Sequence, residues 1–304
     1  MSDAAQARRG IILYLGLVIA ASAVVEGRII TSGGGLSDHG LLLLLLMWVP
    51  GLSSLVCRAV LREGVADVSF RLGGRAGAES LAMAWLFPVL VGFVAYGIAW
   101  GTRLARFSPP PLPGRPDAGP VLALGGHLGL ALTAGLLEPA FLGFGEELGW
   151  RGYLLTRLVR ARVPVPLVVS GLIWGLWHTP LILSGQYATG PNRWLSAGLF
   201  LLSVAGAGVL IGWLRLRSGS VWPAVLAHGS WNVVIQGVFN RATVGAEPGG
   251  AAALWIGESG VLVIAVLLTA AGLVLRRFRP VGGPVAMGER RGSGRRKPAP
   301  RALS

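Results

Sequence analysis

The chain has 304 residues, of which 53% are hydrophobic and only 13% are charged. Soluble domains carry about 25% charged residues, so this composition excludes an ordinary soluble protein. Several apolar runs reach the roughly 20 residues that a helix needs to cross a bilayer. Lipid cannot satisfy free backbone groups, and solid apolar runs are unlike the alternating strands of a barrel. The predicted fold class is therefore all-α, a polytopic membrane protein.

A net charge of +14 would point to nucleic acid in a soluble protein. Here the placement of the charges around a bilayer accounts for it better, and no nucleic acid partner is expected. The single cysteine, Cys57, excludes a disulfide framework and a cysteine metal cluster.

Apolar stretches follow one another along the chain as about eight candidate transmembrane helices. They are 11–25, 40–60, 78–101, a fourth from 121 onwards, 165–183, 194–214, 220–240 and 252–275. The first also resembles a signal peptide, but seven further spans follow, which favours an uncleaved helix. The dipeptide Glu138-Pro139 in the fourth predicts a kink, because proline removes a helical donor.

This pattern divides the chain into four segments. Residues 1–120 hold three helices and a proline-rich connector, 121–240 hold the polar motifs, 241–275 hold the last helix, and 276–304 form a basic tail predicted to be disordered. With both termini in the cytoplasm, 21 of the 27 Lys and Arg residues lie inside and 6 outside. This agrees with the positive-inside rule. The tail then contacts anionic lipid.

Two adjacent carboxylates, Glu146 and Glu147, lie within an apolar run. A charged side chain at the centre of a membrane helix costs at least about 2.5–3.5 kcal/mol, so a doublet indicates function. Arg151 follows Glu147 at i+4, the favourable order for an ion pair. We therefore predict a structural Glu147–Arg151 pair and a Glu146 that faces other site residues.

Two histidines and an amide are the other polar groups inside spans. His228 and Asn232, in the predicted span 220–240, are i and i+4, so they share one face of a helix. His178 lies in the predicted span 165–183. Depths estimated at 1.5 Å per residue allow these groups to meet Glu146 in the cytoplasmic half of the membrane. His39 and His127, near span edges, are interpreted as packing donors.

Three segments carry a family resemblance: EELGWR at 146–151, WGLWHTP at 174–180 and HGSWN at 228–232. They resemble, in order, the signature motifs of the CPBP family, the CAAX-processing and bacteriocin-processing (Abi-type) intramembrane proteases. The resemblance implies that Glu146 and His178 activate the attacking water, while His228 and Asn232 stabilise the oxyanion. Glu147 and Arg151 are the supporting residues.

The residues leave the mechanism open between two chemistries. Glu146, His178 and His228 could bind zinc with a fourth position open for water, whereas a carboxylate away from solvent is also a competent general base on its own. The absence of HExxH excludes a zincin-type site. The predicted activity is an endopeptidase acting on a membrane-bound protein or peptide.

Two other functions remain open on the same residues. The cluster could organise a non-catalytic scaffold or a bacteriocin immunity factor, or it could relay protons in a coupled transporter. The predicted location is the cell membrane. The arginine-rich, nearly lysine-free composition suggests a bacterial inner membrane, where a prenylated CAAX substrate is not expected.

Overall fold

The computed structural model describes residues 3–188, 192–247 and 249–277, and these are almost entirely helical. The α-helices are α1 (Asp3–Ser32), α2 (Gly40–Val60), α3 (Gly74–Gly101), α4 (Pro120–Ala131), α5 (Leu137–Gly149), α6 (Leu155–Arg160), α7 (Pro166–Trp177), α8 (Thr179–Ser184), α9 (Arg193–Ser218), α10 (Trp222–Trp231) and α11 (Val261–Arg277). Short 3₁₀ turns cover Leu36–His39 and Ala134–Leu136, and π-helical turns cover Trp150–Leu154 and Asn232–Phe239. The predicted all-α membrane fold is confirmed.

Strand structure in the described residues is limited to one short ladder. β1 (Arg106–Phe107) pairs antiparallel with β2 (Thr243–Val244). The ladder ties the loop after α3 to the loop before α11, at one end of the helix bundle.

Five helical segments in the described part of the chain are long and apolar enough to cross a membrane: Asp3–Ser32, Leu36–Val60, Gly74–Gly101, Pro166–Ser184 and Arg193–Ser218. A sixth is formed if the bent pair Pro120–Ala131 and Ala134–Arg160 counts as one span. The seventh predicted span is α10 continued by a π turn, and the eighth is α11 with 17 residues. Both are helical but do not reach that length as single α-helices.

The bend in the fourth span lies earlier than predicted. The chain turns by 53° between Ala131 and Ala134, so the kink predicted at Glu138-Pro139 was wrong. Pro139 instead occupies the first turn of α5, where its missing N–H removes no helical hydrogen bond.

The predicted start of the last helix was also wrong. Residues 252–260 form turns, and α11 begins at Val261 instead of Ala252. Gly257 has a φ of +82°, in the left-handed region, and the Val261 N–H bonds back to the Leu254 carbonyl. Of the predicted tail, Arg276 and Arg277 complete α11, and the residues from 278 onwards lie outside the described part.

Glycines let the central helix α5 approach its neighbours closely. A Cβ on Gly51 of α2 would lie 2.5 Å from the Gly145 carbonyl oxygen, and one on Gly149 would lie 2.5 Å from Pro50. On the opposite side, a Cβ on Gly229 of α10 would lie 2.9 Å from the Ala140 backbone. Small residues at crossings are the usual device for close packing of membrane helices. The helix α5 is therefore held tightly between α2 and α10.

A buried charged cluster joins the loop after α2 to the helices around it. We call Asp67, Arg58, Arg157 and Glu63 the loop cluster. Asp67 accepts from Arg58 at Oδ1 and from Arg157 at Oδ2, and Arg157 also pairs with Glu63 at 2.6 Å. Burial alone raises the pKa of Asp67, but the charges of Arg157 and Arg58 outweigh it, so its pKa lies below the ordinary value.

Candidate active site

Glu146 is buried in α5 and its two carboxylate oxygens have different surroundings. Oε2 accepts hydrogen bonds from the indole of Trp150 at 3.2 Å and from the indole of Trp174 at 2.8 Å. Oε1 lies 4.0 Å from Nε2 of His228. One oxygen is thus fixed by two neutral donors while the other faces a histidine across a gap.

Glu147 holds an arginine and a histidine at the same time. Its Oε1 accepts from Nη1 of Arg151 at 2.7 Å and bonds Nδ1 of His228 at 2.9 Å. The predicted ion pair with Arg151 is therefore present, and both of its side chains are fully buried. The Arg151 guanidinium also lies 4.2 Å from the centre of the Trp174 ring, a cation–π contact. We call Glu146, Glu147, Arg151 and His228 the site cluster.

His178, at the end of α7, joins the site through aromatic neighbours. Its Nδ1 bonds the Trp174 carbonyl at 2.9 Å. Its ring centre lies 5.8 Å from that of Trp174, which in turn lies 5.3 Å from the His228 ring. The rings of Trp177, Phe200 and Tyr187 surround it at 4.8, 5.0 and 5.7 Å. Trp174 therefore lies between the two histidines.

Asn232 is half-buried and begins the second π turn, one turn after His228. Its Oδ1 accepts from Nε2 of Gln236 at 3.5 Å. The structure thus joins Glu146, Glu147, Arg151 and His228 by direct contacts, reaches His178 through Trp174, and places Asn232 on the helix that carries His228.

Local backbone features explain why these groups converge. A Cβ on Gly143 would lie 3.1 Å from Cγ of His228, so the glycine lets the imidazole lie against α5. The first π turn begins directly after α5, and the second begins at Asn232. Such turns are frequent at functional sites.

The sequence argument missed the two indoles that bind Glu146. Trp150 lies at i+4 from Glu146, the spacing at which side chains on a helix meet, so its contact could have been found from the sequence. Trp174 comes from a different helix, and only the packing reveals its contact with Glu146. His39 and His127, interpreted as packing donors, bond the carbonyls of Gly33 and Pro110.

The predicted zinc ligands are not arranged as a metal site. Within the described residues, no group of three His, Cys, Asp or Glu side chains could hold a metal ion. Oε2 of Glu146 already accepts from two indoles, and Nδ1 of His178 is taken by a backbone carbonyl. As placed, Glu146, His178 and His228 do not fit a three-ligand zinc centre.

The fold and the site define an all-α membrane protein with a buried carboxylate–histidine cluster, and comparison with known proteins narrows this class. Residues 128–234 match the family "Type II CAAX prenyl endopeptidase Rce1-like". A relative named CAAX prenyl protease 2, from Methanococcus maripaludis, is 38% identical over 89 residues. That alignment covers 27% of this chain and 32% of the relative.

The segment 128–234 is thus similar to the Rce1-like CAAX endopeptidases, and the family resemblance predicted from the motifs is confirmed for this segment. The match includes all of Glu146, His178, His228 and Asn232. The family match thus covers the segment that carries the site, and the alignment with the archaeal relative spans about a third of that relative's length.

Proposed function

We propose that this protein is an intramembrane endopeptidase that hydrolyses a peptide bond of a membrane-associated protein or peptide. The observation that carries the proposal is the unequal use of the Glu146 carboxylate. Oε2 is fixed by two indoles, whereas Oε1 faces His228 Nε2 at 4.0 Å. A gap of this size between two polar atoms is one that a single water can bridge.

In this mechanism Glu146 is the general base. Oε1 takes a proton from the water, and the water oxygen bonds to the carbonyl carbon of the scissile peptide as the carbonyl π bond breaks. The protonated Glu146 then gives this proton to the leaving amine as the C–N bond breaks. The indoles of Trp150 and Trp174 hold the carboxylate in one orientation during both steps.

The hydrogen bond of His178 defines which ring nitrogen it offers to the site. A backbone carbonyl can only accept, so Nδ1 of His178 carries the proton and donates it to Trp174. In the neutral ring Nε2 is then an acceptor. This supports the role that the family resemblance implies for His178, which is to activate the attacking water together with Glu146.

His228 is held in the orientation that an oxyanion donor needs. Its Nδ1–H donates to the Glu147 carboxylate, which Arg151 fixes from the other side. With a second proton on Nε2, the ring balances the two carboxylates against two positive charges and presents an N–H to the reacting carbonyl. Together with the Asn232 amide this would stabilise the developing negative charge.

The proposal is tested with purified protein in liposomes and two quenched fluorescent peptides. One ends in a farnesylated CAAX sequence, because the curated relative is named a CAAX prenyl protease, and the other is an unmodified membrane-anchored peptide. Wild-type protein should cleave at least one. Glu146→Gln and His228→Ala should abolish cleavage, while Glu138→Gln, an exposed residue of the same helix, should retain it.

The same variants separate the other functions. If Glu146→Gln and His228→Ala both keep the full biological effect in cells, the protein is a scaffold or immunity factor instead of a protease. Zinc binding by Glu146, His178 and His228 stays a prediction. Metal analysis of the purified wild type against His178→Ala and His228→Ala tests it.

A further inference from the structure

Glu258, in the loop before α11, is hydrogen-bonded through both carboxylate oxygens to residues next to the site. Oε2 accepts from the Tyr187 hydroxyl at 2.6 Å, and Oε1 accepts from the Trp231 indole at 2.9 Å. Trp231 directly precedes Asn232, and Tyr187 follows α8. A single side chain from outside the three motifs thus links the residue before Asn232 to the loop that follows α8.

The direction of each hydrogen bond in this network follows from its chemistry. A carboxylate accepts and does not donate, so the single hydroxyl proton of Tyr187 goes to Glu258. Burial, the nearby Glu258 charge and the hydrogen bond between them raise the pKa of Tyr187 well above its ordinary value, so the hydroxyl keeps this proton. The hydroxyl oxygen must then accept from Gln236, which lies 3.3 Å away. Gln236 consequently presents its NH₂ group.

These hydrogen-bond directions also determine the orientation of the Asn232 amide. The same Nε2 of Gln236 lies 3.5 Å from Oδ1 of Asn232, so the Asn232 carbonyl oxygen accepts and its NH₂ group points elsewhere. An oxyanion site needs that NH₂ group as its donor. The network therefore selects the Asn232 amide orientation that the proposed reaction requires.

The network also touches the other histidine. The Tyr187 ring is stacked on the His178 ring at an interplanar angle of 26°, with the ring centres 5.7 Å apart. Phe200 meets the Tyr187 ring edge-on at 5.5 Å and also contacts the His178 ring at 5.0 Å. The bond to Glu258 thus fixes the plane against which the His178 imidazole rests.

We infer that Tyr187 and Glu258 are positioning residues that orient Asn232, through Gln236, and His178, by ring stacking, for peptide-bond hydrolysis. The inference rests on the proposed function, because it concerns how that site is ordered. Neither residue lies within the three sequence motifs. Their effect would be on the chemical step, with substrate binding left nearly unchanged.

The experiment measures kcat and KM on whichever quenched peptide the wild type cleaves, for Tyr187→Phe, Glu258→Gln and the double variant. Tyr187→Phe removes the bond to Glu258 and the bond from Gln236, and Glu258→Gln leaves one acceptor oxygen for two donors. We therefore expect kcat to fall at least about fivefold while KM stays within about twofold. The double variant should lose little more than either single variant, since both remove the same bond. Additive losses, or a loss confined to KM, would overturn the inference.

Matched controls are available in the described chain. Tyr153→Phe removes a buried hydroxyl outside the site cluster, and Glu79→Gln changes a carboxylate whose side chain is 41% exposed and pairs with Arg75 and Arg217. Both should keep kcat. If Tyr187→Phe and Glu258→Gln match these controls in kcat, or if their loss of kcat follows a fall in Tm, Tyr187 and Glu258 have no positioning role.

A second measurement separates this inference from the proposed function. If wild type and Glu146→Gln are equally inactive on both peptides, the protease proposal fails by itself. The positioning role of Tyr187 and Glu258 is then tested by the rate at which diethyl pyrocarbonate modifies His178, followed by mass spectrometry. Glu258→Gln should raise this rate severalfold over Glu79→Gln, and an unchanged rate would contradict the positioning role.

Discussion

The loop cluster and the site cluster are both buried groups of carboxylates and arginines, yet they use their oxygens differently. In the loop cluster both oxygens of Asp67 accept from arginines. In the site cluster Arg151 bonds Oε1 of Glu147, whereas Glu147 Oε2 has no hydrogen-bond partner among the described residues. Oε1 of Glu146 faces His228 Nε2 at 4.0 Å.

We interpret this difference as one between charges that stabilise the fold and charges that the proposed reaction would use. Burying ions is costly unless partners satisfy them, and the loop cluster meets this requirement at its central carboxylate. The site cluster leaves acceptor capacity unused in a region where that is expensive. Such an arrangement is expected where a substrate or water completes the set.

The largest effect is expected at the oxygen that faces the gap. Glu146→Gln should lower kcat by about 10²- to 10⁴-fold, because an amide cannot take a proton from water. Its Tm in detergent should match or exceed that of the wild type, since one buried charge is removed. Activity assays beside thermal unfolding measure both, and retained cleavage would remove the distinction between the clusters.

The ion pair at the centre of the site cluster should be structural first. Arg151→Met leaves Glu147 buried without its cation, which should cost about 3–5 kcal/mol of stability. The double variant Glu147→Gln with Arg151→Met should recover much of that stability. It should not recover activity, because His228 Nδ1 then loses its carboxylate. Unfolding curves and peptide cleavage on the same preparations test this, and a fully active double variant would contradict it.

The loop cluster should show the opposite pattern. Asp67→Asn removes the negative charge between Arg58 and Arg157 and should cost about 3 kcal/mol, near the lower end for breaking a buried pair. The kcat of the folded fraction should stay close to the wild-type value. Active-site titration together with Tm measurement distinguishes the two, and a large fall in kcat at unchanged Tm would show that this cluster also serves catalysis.

The loop cluster should make the stability of the wild type depend on pH in the acidic range. The pKa of Asp67 lies below its ordinary value of 3.8, so its stabilising effect is full above that value and is lost as the pH falls through the lowered pKa. Stability between pH 5 and pH 3 should therefore depend more steeply on pH in the wild type than in Asp67→Asn. Unfolding midpoints across that range are the measurement, and identical slopes would refute the assignment.

The smallest effect is expected at an exposed charge pair. Glu79 contacts Arg75 at 3.0 Å and Arg217 at 2.5 Å, and its side chain is 41% exposed. Glu79→Gln should change stability by less than about 1 kcal/mol, because solvent screens such pairs. A shift in Tm comparable to that of Asp67→Asn would mean that burial does not distinguish these clusters.

Much of the fold was predictable because hydrophobic length is a strong signal in a membrane protein. The second helix was predicted at its observed bounds, Gly40–Val60, where the apolar run ends before a group of arginines. The bend before α5 was misplaced because proline in a first turn is harmless, while the true break at 132–133 carries no proline. The turns at 252–260 were hidden by their apolar composition.

The site divides in the same way. Spacing on one helix predicted the Glu147–Arg151 pair, because i and i+4 side chains meet without any knowledge of the fold. Contacts between segments distant in the chain, such as Trp174 with Glu146 and Tyr187 with Glu258, depend on helix crossing angles and loop paths. A single sequence does not specify these. The roles of His178 and Asn232 in hydrolysis remain predictions.

The π turn at Trp150–Leu154 has a consequence for how the two charged clusters share a polypeptide. It lies between Glu147 and Arg157, and its i→i+5 hydrogen bonds take up one residue more than an α-helical turn. Shortening this stretch by a single residue would rotate everything after it by about 100° about the helix axis. Arg157 would rotate away from Asp67 while Glu146 kept its place. The extra residue therefore sets the angle about the helix axis between Glu146 and Arg157.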